Sequence, residues 1–259
     1  MKSLKILLVN EKGCFEPGII ALAKVLSAHH RVNIVAPLHG KDGVGHKLTA
    51  VYPLRAEQFY VLKKVKILGV NGTPCDCVAL ALDKLLKSKP DLIISGIDTM
   101  NNRGGLIFTS GVVSAATLGT IHGVRSISVS AAVDDPKSEK EFLTVARTFA
   151  KKLPELYKNI RADVTLNVNF PKKLNAKQIQ CTHLTLQLVD NTYMHEVNPF
   201  GRQFYWMNTP PIADQTLSQL EMRGDIYWLK KNFVAVTPLK YDLTNYDFME
   251  KLEKSGIAL

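Results

Sequence analysis

Ile6, Leu7, Leu8 and Val9 stand in a row with no charge among them, and the polar loop Asn10, Glu11, Lys12 and Gly13 follows at once. A short apolar run without alternation, closed by a turn signal, is the pattern of a strand covered on both faces. Pro17 and Gly18 then open a second pattern, Ile19, Leu22, Ala23, Val25 and Leu26, whose steps of three and four are those of one helix face. A doubly covered strand followed by an amphipathic helix restricts the chain to α/β architectures, because only crossover helices cover both sides of a parallel sheet. Ligands in such sheets sit beyond the carboxyl ends of the strands, which makes the loop of Asn10, Glu11 and Lys12 a candidate site.

The unit recurs along the chain. Residues 31–36 form a second strand, and Gly40, Gly43 and Gly45 lie in the loop after it. A dinucleotide fingerprint needs its glycines directly after the first strand, so such a cofactor is disfavoured. Residues 51–54, 59–62 and 65–70 are strand-like and suggest a hairpin excursion. Gly72, Thr73 and Pro74 turn into an apolar helix over 77–86, which Pro90 stops. Residues 91–95 are a further buried strand, followed by a loop over 96–108. Thr109, Ser110 and Gly111 open a helix of small residues over 112–118, and the free N–H groups of such a start attract phosphate. A strand over 126–129 and an amphipathic helix over 139–156 complete a doubly wound, mostly parallel Rossmann-like sheet with right-handed crossovers.

Beyond Asp163 the pattern changes. A strand over 164–168 is followed, at 179–230, by irregular pieces rich in aromatics, among them Tyr193, Phe200, Tyr205 and Trp206, with turns at Asn198-Pro199 and Pro210-Pro211. This stretch reads as an antiparallel extension suited to subunit contact. A last strand over 233–237 and a closing helix over 246–254 end the chain. The expected organisation is one domain over 1–259. Its core comprises 1–171 with 232–240, its extension 172–231, and its C-terminal helix 241–259.

An apolar fraction of 46% and a charged fraction of 22% exclude disordered and fibrous classes. The formal charge of +10 attracts phosphorylated molecules. The lysines are scattered, with no basic arm and no interleaved aromatics, so specific nucleic-acid binding is not expected. Cys14, Cys75, Cys77 and Cys181 are too few for a disulfide framework, and Cys75 with Cys77 lacks a second pair at zinc spacing, so burial is their expected role. No signal peptide or spanning segment is apparent, which implies a cytoplasmic protein and no membrane partner.

Several stretches together resemble the SurE (stationary-phase survival protein E) family of metal-dependent 5′-nucleotidases. They are GTPCDCV at 72–78; Ser95, Gly96 and Ile97 with Asn102, Gly104, Ser110 and Gly111; NVNFP at 167–171; Gly201 with Tyr205 and Trp206; and TPLKYDLT at 237–244. The resemblance implies a Rossmann-like domain, an intertwined extension, homodimers or homotetramers, and release of phosphate from nucleoside 5′-monophosphates. It implies a divalent ion, Mg²⁺ or Mn²⁺, at the positions held here by Glu11, Lys12, Asp42 and Asp98, and substrate phosphate at Asn102, Ser110, Gly111 and Lys12.

All four ion positions depart from the family pattern, in which two aspartates, a serine and an asparagine hold the metal. Thr109 and Val112 replace a tyrosine and a threonine beside Ser110 and Gly111. The formal charge of the four positions is nevertheless unchanged at −2, as expected of a rebuilt site. Two arrangements follow. In one, Glu11, Asp42 and Asp98 supply hard oxygen ligands while Lys12 turns to a carboxylate or a phosphate. In the other, the Lys12 ammonium occupies the cation's place, and the chain is a nucleotide-binding or oligomeric interaction protein without turnover. Taken singly, Glu11 and Lys12 are an ordinary loop pair, and Asp42 and Asp98 turn formers.

Overall fold

The computed structural model describes residues 2–60, 62–63, 65–173, 178–185, 192–208 and 221–257. The first strand, β1 (Lys5–Val9), shows why an unbroken apolar run is needed at the centre of the fold. Successive side chains of a strand point to opposite faces. Ile6 and Leu8 pack on one side with Ile19 and Leu22 of α1 (Pro17–Leu26) and with Phe142 and Phe149 of the long helix α4 (Glu139–Asn159). Leu7 and Val9 pack on the other side with Cys77 and Val78 of α2 (Pro74–Leu80) and Ala115 of α3 (Gly111–Ile121). Two cores therefore share one strand.

The remaining strands are β2 (Arg31–Pro37), β3 (Ala56–Phe59), β4 (Lys66–Val70), β5 (Leu92–Asp98), β6 (Ser126–Ala131), β7 (Thr165–Phe170), β8 (Ile179–Cys181), β9 (Thr192–Val197), β10 (Gln203–Asn208) and β11 (Val234–Leu239). Two short helices, α5 (Asp225–Lys230) and α6 (Tyr246–Leu252), lie in the C-terminal part. Among the described residues, nine strands form one sheet in the order β3-β4-β2-β1-β5-β6-β7-β11-β8. The strands from β4 to β7 are parallel, and β3 and β11 run against their neighbours β4 and β7. The order reverses between β1 and β5, and the crevice at such a reversal is where a doubly wound sheet takes its ligand.

This is the expected fold class, with instructive differences. The hairpin excursion is β3 paired with β4, while Val51 and Tyr52 lie exposed ahead of it. The helix read over 77–86 starts earlier, at Pro74, and passes into a π-helical turn, Ala81–Leu85. Strand β5 runs three residues past the expected end at Ser95, because Gly96 and Asp98 still find partners on β6, and this extension delivers Asp98 to the strand terminus. Helix α4 continues through Pro154 to Asn159.

The extension divides. Its hairpin, β9 with β10, is a separate antiparallel sheet carrying exposed Tyr193, Tyr205 and Trp206. Its flanks, by contrast, join the main body: β8 lies parallel to β11 at the sheet edge, and α5 packs against β11. The turn at Pro210-Pro211 lies outside the described residues. Cys14, Cys75 and Cys77 are buried, as expected of small apolar side chains, and Cys181 is exposed. Among the described residues, no helix is long and apolar enough to cross a membrane.

The GTPCDCV stretch has a structural explanation in Asp76. Thr73 caps α2 by accepting the Asp76 N–H at 3.1 Å, and the Asp76 carboxylate reaches back to the Thr73 N–H at 2.8 Å, a reciprocal capping box. The same carboxylate accepts from the Thr49 N–H at 2.8 Å and its hydroxyl at 2.7 Å, which ties the loop after β2 to α2. Burial pushes the Asp76 carboxyl up, but the bonds from Thr49 and Thr73 outweigh it and hold the group below its ordinary value. A carboxyl depressed on folding contributes stability above its unfolded pKa and loses it as pH falls through the folded one. Asp76→Ala is expected to cost about 2 kcal/mol at neutral pH, with the difference from the native protein shrinking below about pH 4. Urea titrations at the two pH values check this, and an equal difference at both would remove the ionised carboxylate from the account.

Candidate functional site

The loop after β1 is shaped by its own residues. Asn10 accepts the N–H of Gly13 on its side-chain oxygen at 2.7 Å, and the Cys14 N–H donates to the Pro37 carbonyl at the end of β2. The Glu11 carbonyl accepts from the Lys41 N–H at 2.7 Å, drawing in the loop that follows β2. This places Asp42 against Lys12, whose Nζ stands 2.7 Å from Oδ1.

The Glu11 side chain turns inward and is only 4% exposed. Its Oε2 accepts the N–H of Gly111, the first residue of α3, at 2.7 Å. A Cβ on Gly111 would lie 2.8 Å from that same oxygen, so the helix start must be glycine if the carboxyl is to reach it. Asp98, also 4% exposed, accepts the Thr99 N–H on Oδ1 at 2.7 Å and the Asn102 amide on Oδ2 at 2.9 Å. Asp98 lies close enough to Glu11 for its charge to act on the Glu11 carboxyl. The candidates Glu11, Lys12, Asp42, Asp98, Asn102 and Gly111 thus meet in one place, at the β1/β5 reversal. Ser110 adjoins them as the cap of α3, its Oγ accepting the Val113 N–H at 3.1 Å.

Two of the expected phosphate contacts are already engaged. The Gly111 N–H goes to Glu11 and the Asn102 amide to Asp98, while the Ser110 hydroxyl proton is not needed by the cap. Below Asn102 lies a polar ladder: its carbonyl accepts from the side chains of Asn167 at 2.7 Å and Asn169 at 3.0 Å. Those two are held in turn by Ser128 and Ser130 on the neighbouring strand. From the other side, Asp225 accepts the N–H of Gly104 and fixes the loop that leaves Asp98. Sequence reasoning noted NVNFP without a role for its asparagines and passed over Asp225. The usable signal was polar residues two apart on adjacent buried strands, which share a face and demand partners.

The electrostatics of the cluster are those of crowded carboxyls around one ammonium. Burial, then the charge of Asp98, pushes the Glu11 carboxyl up to about 8, so it holds a proton near neutrality. Burial works against the charge on Lys12, but the hydrogen bond to Asp42 and the charges of Asp98, Asp42 and Glu11 outweigh it and raise its pKa. The site therefore offers a cation that can lie against phosphoryl oxygens and a protonated carboxyl that can release its proton.

These groups do not fit a divalent ion. Among the described residues, no three His, Cys, Asp or Glu side chains are grouped to hold a metal. Lys12 occupies Asp42, and both oxygens of Asp98 already accept hydrogen bonds. Among the described residues, the two buried side-chain atoms without a hydrogen-bond partner are Asn10 Nδ2, a donor that attracts no cation, and the Ser95 hydroxyl.

A doubly wound α/β protein with its charged cluster at the reversal of strand order is thus the class that fold and site define. The family model described as Survival protein SurE matches residues 6–193. A protein of Geotalea uraniireducens (strain Rf4) named 5′-nucleotidase SurE is 36% identical over 97% of this chain and 98% of its own length. Another of that name, from Thermoanaerobacter sp. (strain X514), is 32% identical over 99% of this chain and 100% of its own. The crystal structure of the SurE protein from Aquifex aeolicus superposes with a TM-score of 0.78 at 34% identity, covering 97% of this chain and 99% of that one. The chain belongs to the SurE family.

Proposed function

We propose that this protein releases phosphate from nucleoside 5′-monophosphates at the cluster of Glu11, Lys12, Asp42 and Asp98. The observation that carries the reading is the end-to-end similarity to proteins named 5′-nucleotidase, combined with the meeting of these loops at the sheet's ligand crevice. Hydrolysis forms a bond from water to phosphorus, breaks the bond to the sugar oxygen, and returns a proton to that oxygen. In this reading Lys12 and the Ser110 hydroxyl hold the phosphoryl oxygens, Glu11 carries the proton, and Asp98 orients Glu11. Asn102 and Gly111 act indirectly, the first by fixing Asp98 and the second by fixing Glu11. The Mg²⁺ or Mn²⁺ that the family resemblance implies has no part in this scheme, because the donor set does not fit it.

The test is phosphate release from a panel of nucleoside monophosphates by metal-stripped protein, with and without added Mg²⁺ or Mn²⁺. Release is expected from the native chain and is expected to fall by roughly a hundredfold or more in Asp98→Ala, with folding retained. Unchanged turnover in the variant would remove Asp98 from the mechanism. A second reading, nucleotide binding without turnover, is favoured by the Lys12–Asp42 pair, since an ammonium cannot activate water as a metal does. Absence of release under every condition, with retained nucleotide binding, would select it. In either reading the exposed β9–β10 hairpin, with Tyr193, Tyr205 and Trp206, is proposed for contact with a second copy, as a homodimer or homotetramer.

A further inference from the structure

We propose that the Lys12 ammonium stands where the family's divalent ion would sit, so that this chain binds no metal at the cluster. The position is one of four that the family resemblance gives to the ion, and it alone carries a positive charge. Its Nζ is paired with Asp42 at 2.7 Å, and the charge of Asp98 acts on it as well. An ammonium on a four-carbon stem satisfies carboxylates by donating its three hydrogens, without the near-ideal octahedron that Mg²⁺ demands. An incoming dication would have to displace it and would be repelled while it remained.

The other three positions make sense as partners of an ammonium. Asp42, 60% exposed in its side chain, anchors Lys12 from the solvent side, and the buried carboxyls flank it from within. Asp98 and Glu11 keep their remaining hydrogen bonds to protein groups, Thr99, Asn102 and Gly111, which leaves them held in place without a metal. The three carboxyls together with one lysine thus read as a single exchange, in which a cation supplied by solution became one supplied by the chain.

The inference concerns the cation and holds whether or not the ester is cleaved. Phosphate release tests the function and metal binding tests Lys12, so either can fail alone. The experiment is titration of metal-stripped protein with Mn²⁺, followed by the loss of the free-ion electron paramagnetic resonance signal, for the native chain, Lys12→Asp and Lys12→Met. The native chain is expected to show no saturable binding at millimolar Mn²⁺. Lys12→Asp is expected to bind one ion at least roughly tenfold more tightly than any residual native binding, because it removes the repulsion and adds a ligand. Lys12→Met, which removes only the charge, covers the case in which the aspartate variant fails to fold, and is expected to gain affinity to a smaller degree. Saturable binding of one Mn²⁺ by the native chain, weakened by Asp98→Asn, would overturn the proposal. Folded variants that still bind nothing would overturn it too, since something other than the ammonium would then be excluding the ion.

Discussion

Gly18→Ala is expected to lower stability by about 3 kcal/mol or more, which for a chain of this size moves the melting temperature by about 6 to 12 °C. The backbone angle is not the reason, for Gly18 lies at the start of a regular helix. The reason is proximity: an added Cβ would lie 2.4 Å from the Ile97 carbonyl oxygen and 3.3 Å from the Ile97 carbonyl carbon. Both contacts are with backbone of β5, so no side-chain rotation relieves them, and helix or strand must shift. Because Ile97 precedes Asp98, the shift should also reach the site. Lys24→Ala on the same helix is the control. It removes only an exposed ion pair with Glu139 and should change stability by less than about 1 kcal/mol. Thermal unfolding of both variants decides the matter, and a Gly18→Ala protein melting within the error of the native one would refute the tight approach.

The second large effect is a pH dependence. With its carboxyl raised from 4.5 to about 8, Glu11 binds its proton more tightly in the folded protein than in the unfolded chain. The stability this proton confers is complete below the unfolded pKa and drains away as pH rises through the folded one. Native stability is therefore expected to decline between about pH 5 and pH 8, by an amount on the order of 3 to 5 kcal/mol at 1.36 kcal/mol per pKa unit. Glu11→Gln keeps an acceptor for the Gly111 N–H and carries no charge toward Asp98, so its profile should be flat across that window. At pH 9 the variant should be the more stable protein, and at pH 5 the two should match. Denaturant titrations in the presence of a chelator read this directly. Parallel profiles would mean that Glu11 is not the group that holds the proton.

Much of the architecture was legible because it rests on local rules. The unbroken run Ile6, Leu7, Leu8 and Val9 has no polar position at which a face could meet water, so helices on both sides were required before any contact was known. Proline and glycine in the first turn of α1 and the capping threonine and serine before α2 and α3 marked the helix starts. The gathering of Glu11, Lys12, Asp42 and Asp98 was also foreseeable, because all four lie at or just beyond the carboxyl ends of strands that run the same way. Strand ends were less legible. β5 reaches Asp98 only because β6 offers partners that far along, and β8 lies parallel to β11 although its sequence suggested an antiparallel extension. Pairing is a property of two segments distant in the chain, and neither carries its register alone.

The sequence by itself determined the class of fold, the edge of the sheet at which the chemistry gathers, and the set of charged residues placed there, because periodicity and turn chemistry act over a few neighbouring residues. Only the tertiary structure decided how those charges are matched. It sent Glu11 inward to the start of α3 and to Asp98, gave Asp42 to Lys12, and engaged the Asn102 amide before any phosphate arrives. A formal charge of −2 is compatible with a metal cage and with an ammonium among carboxylates alike. Coulomb energies depend on separation and burial, and those are set by how distant loops pack together.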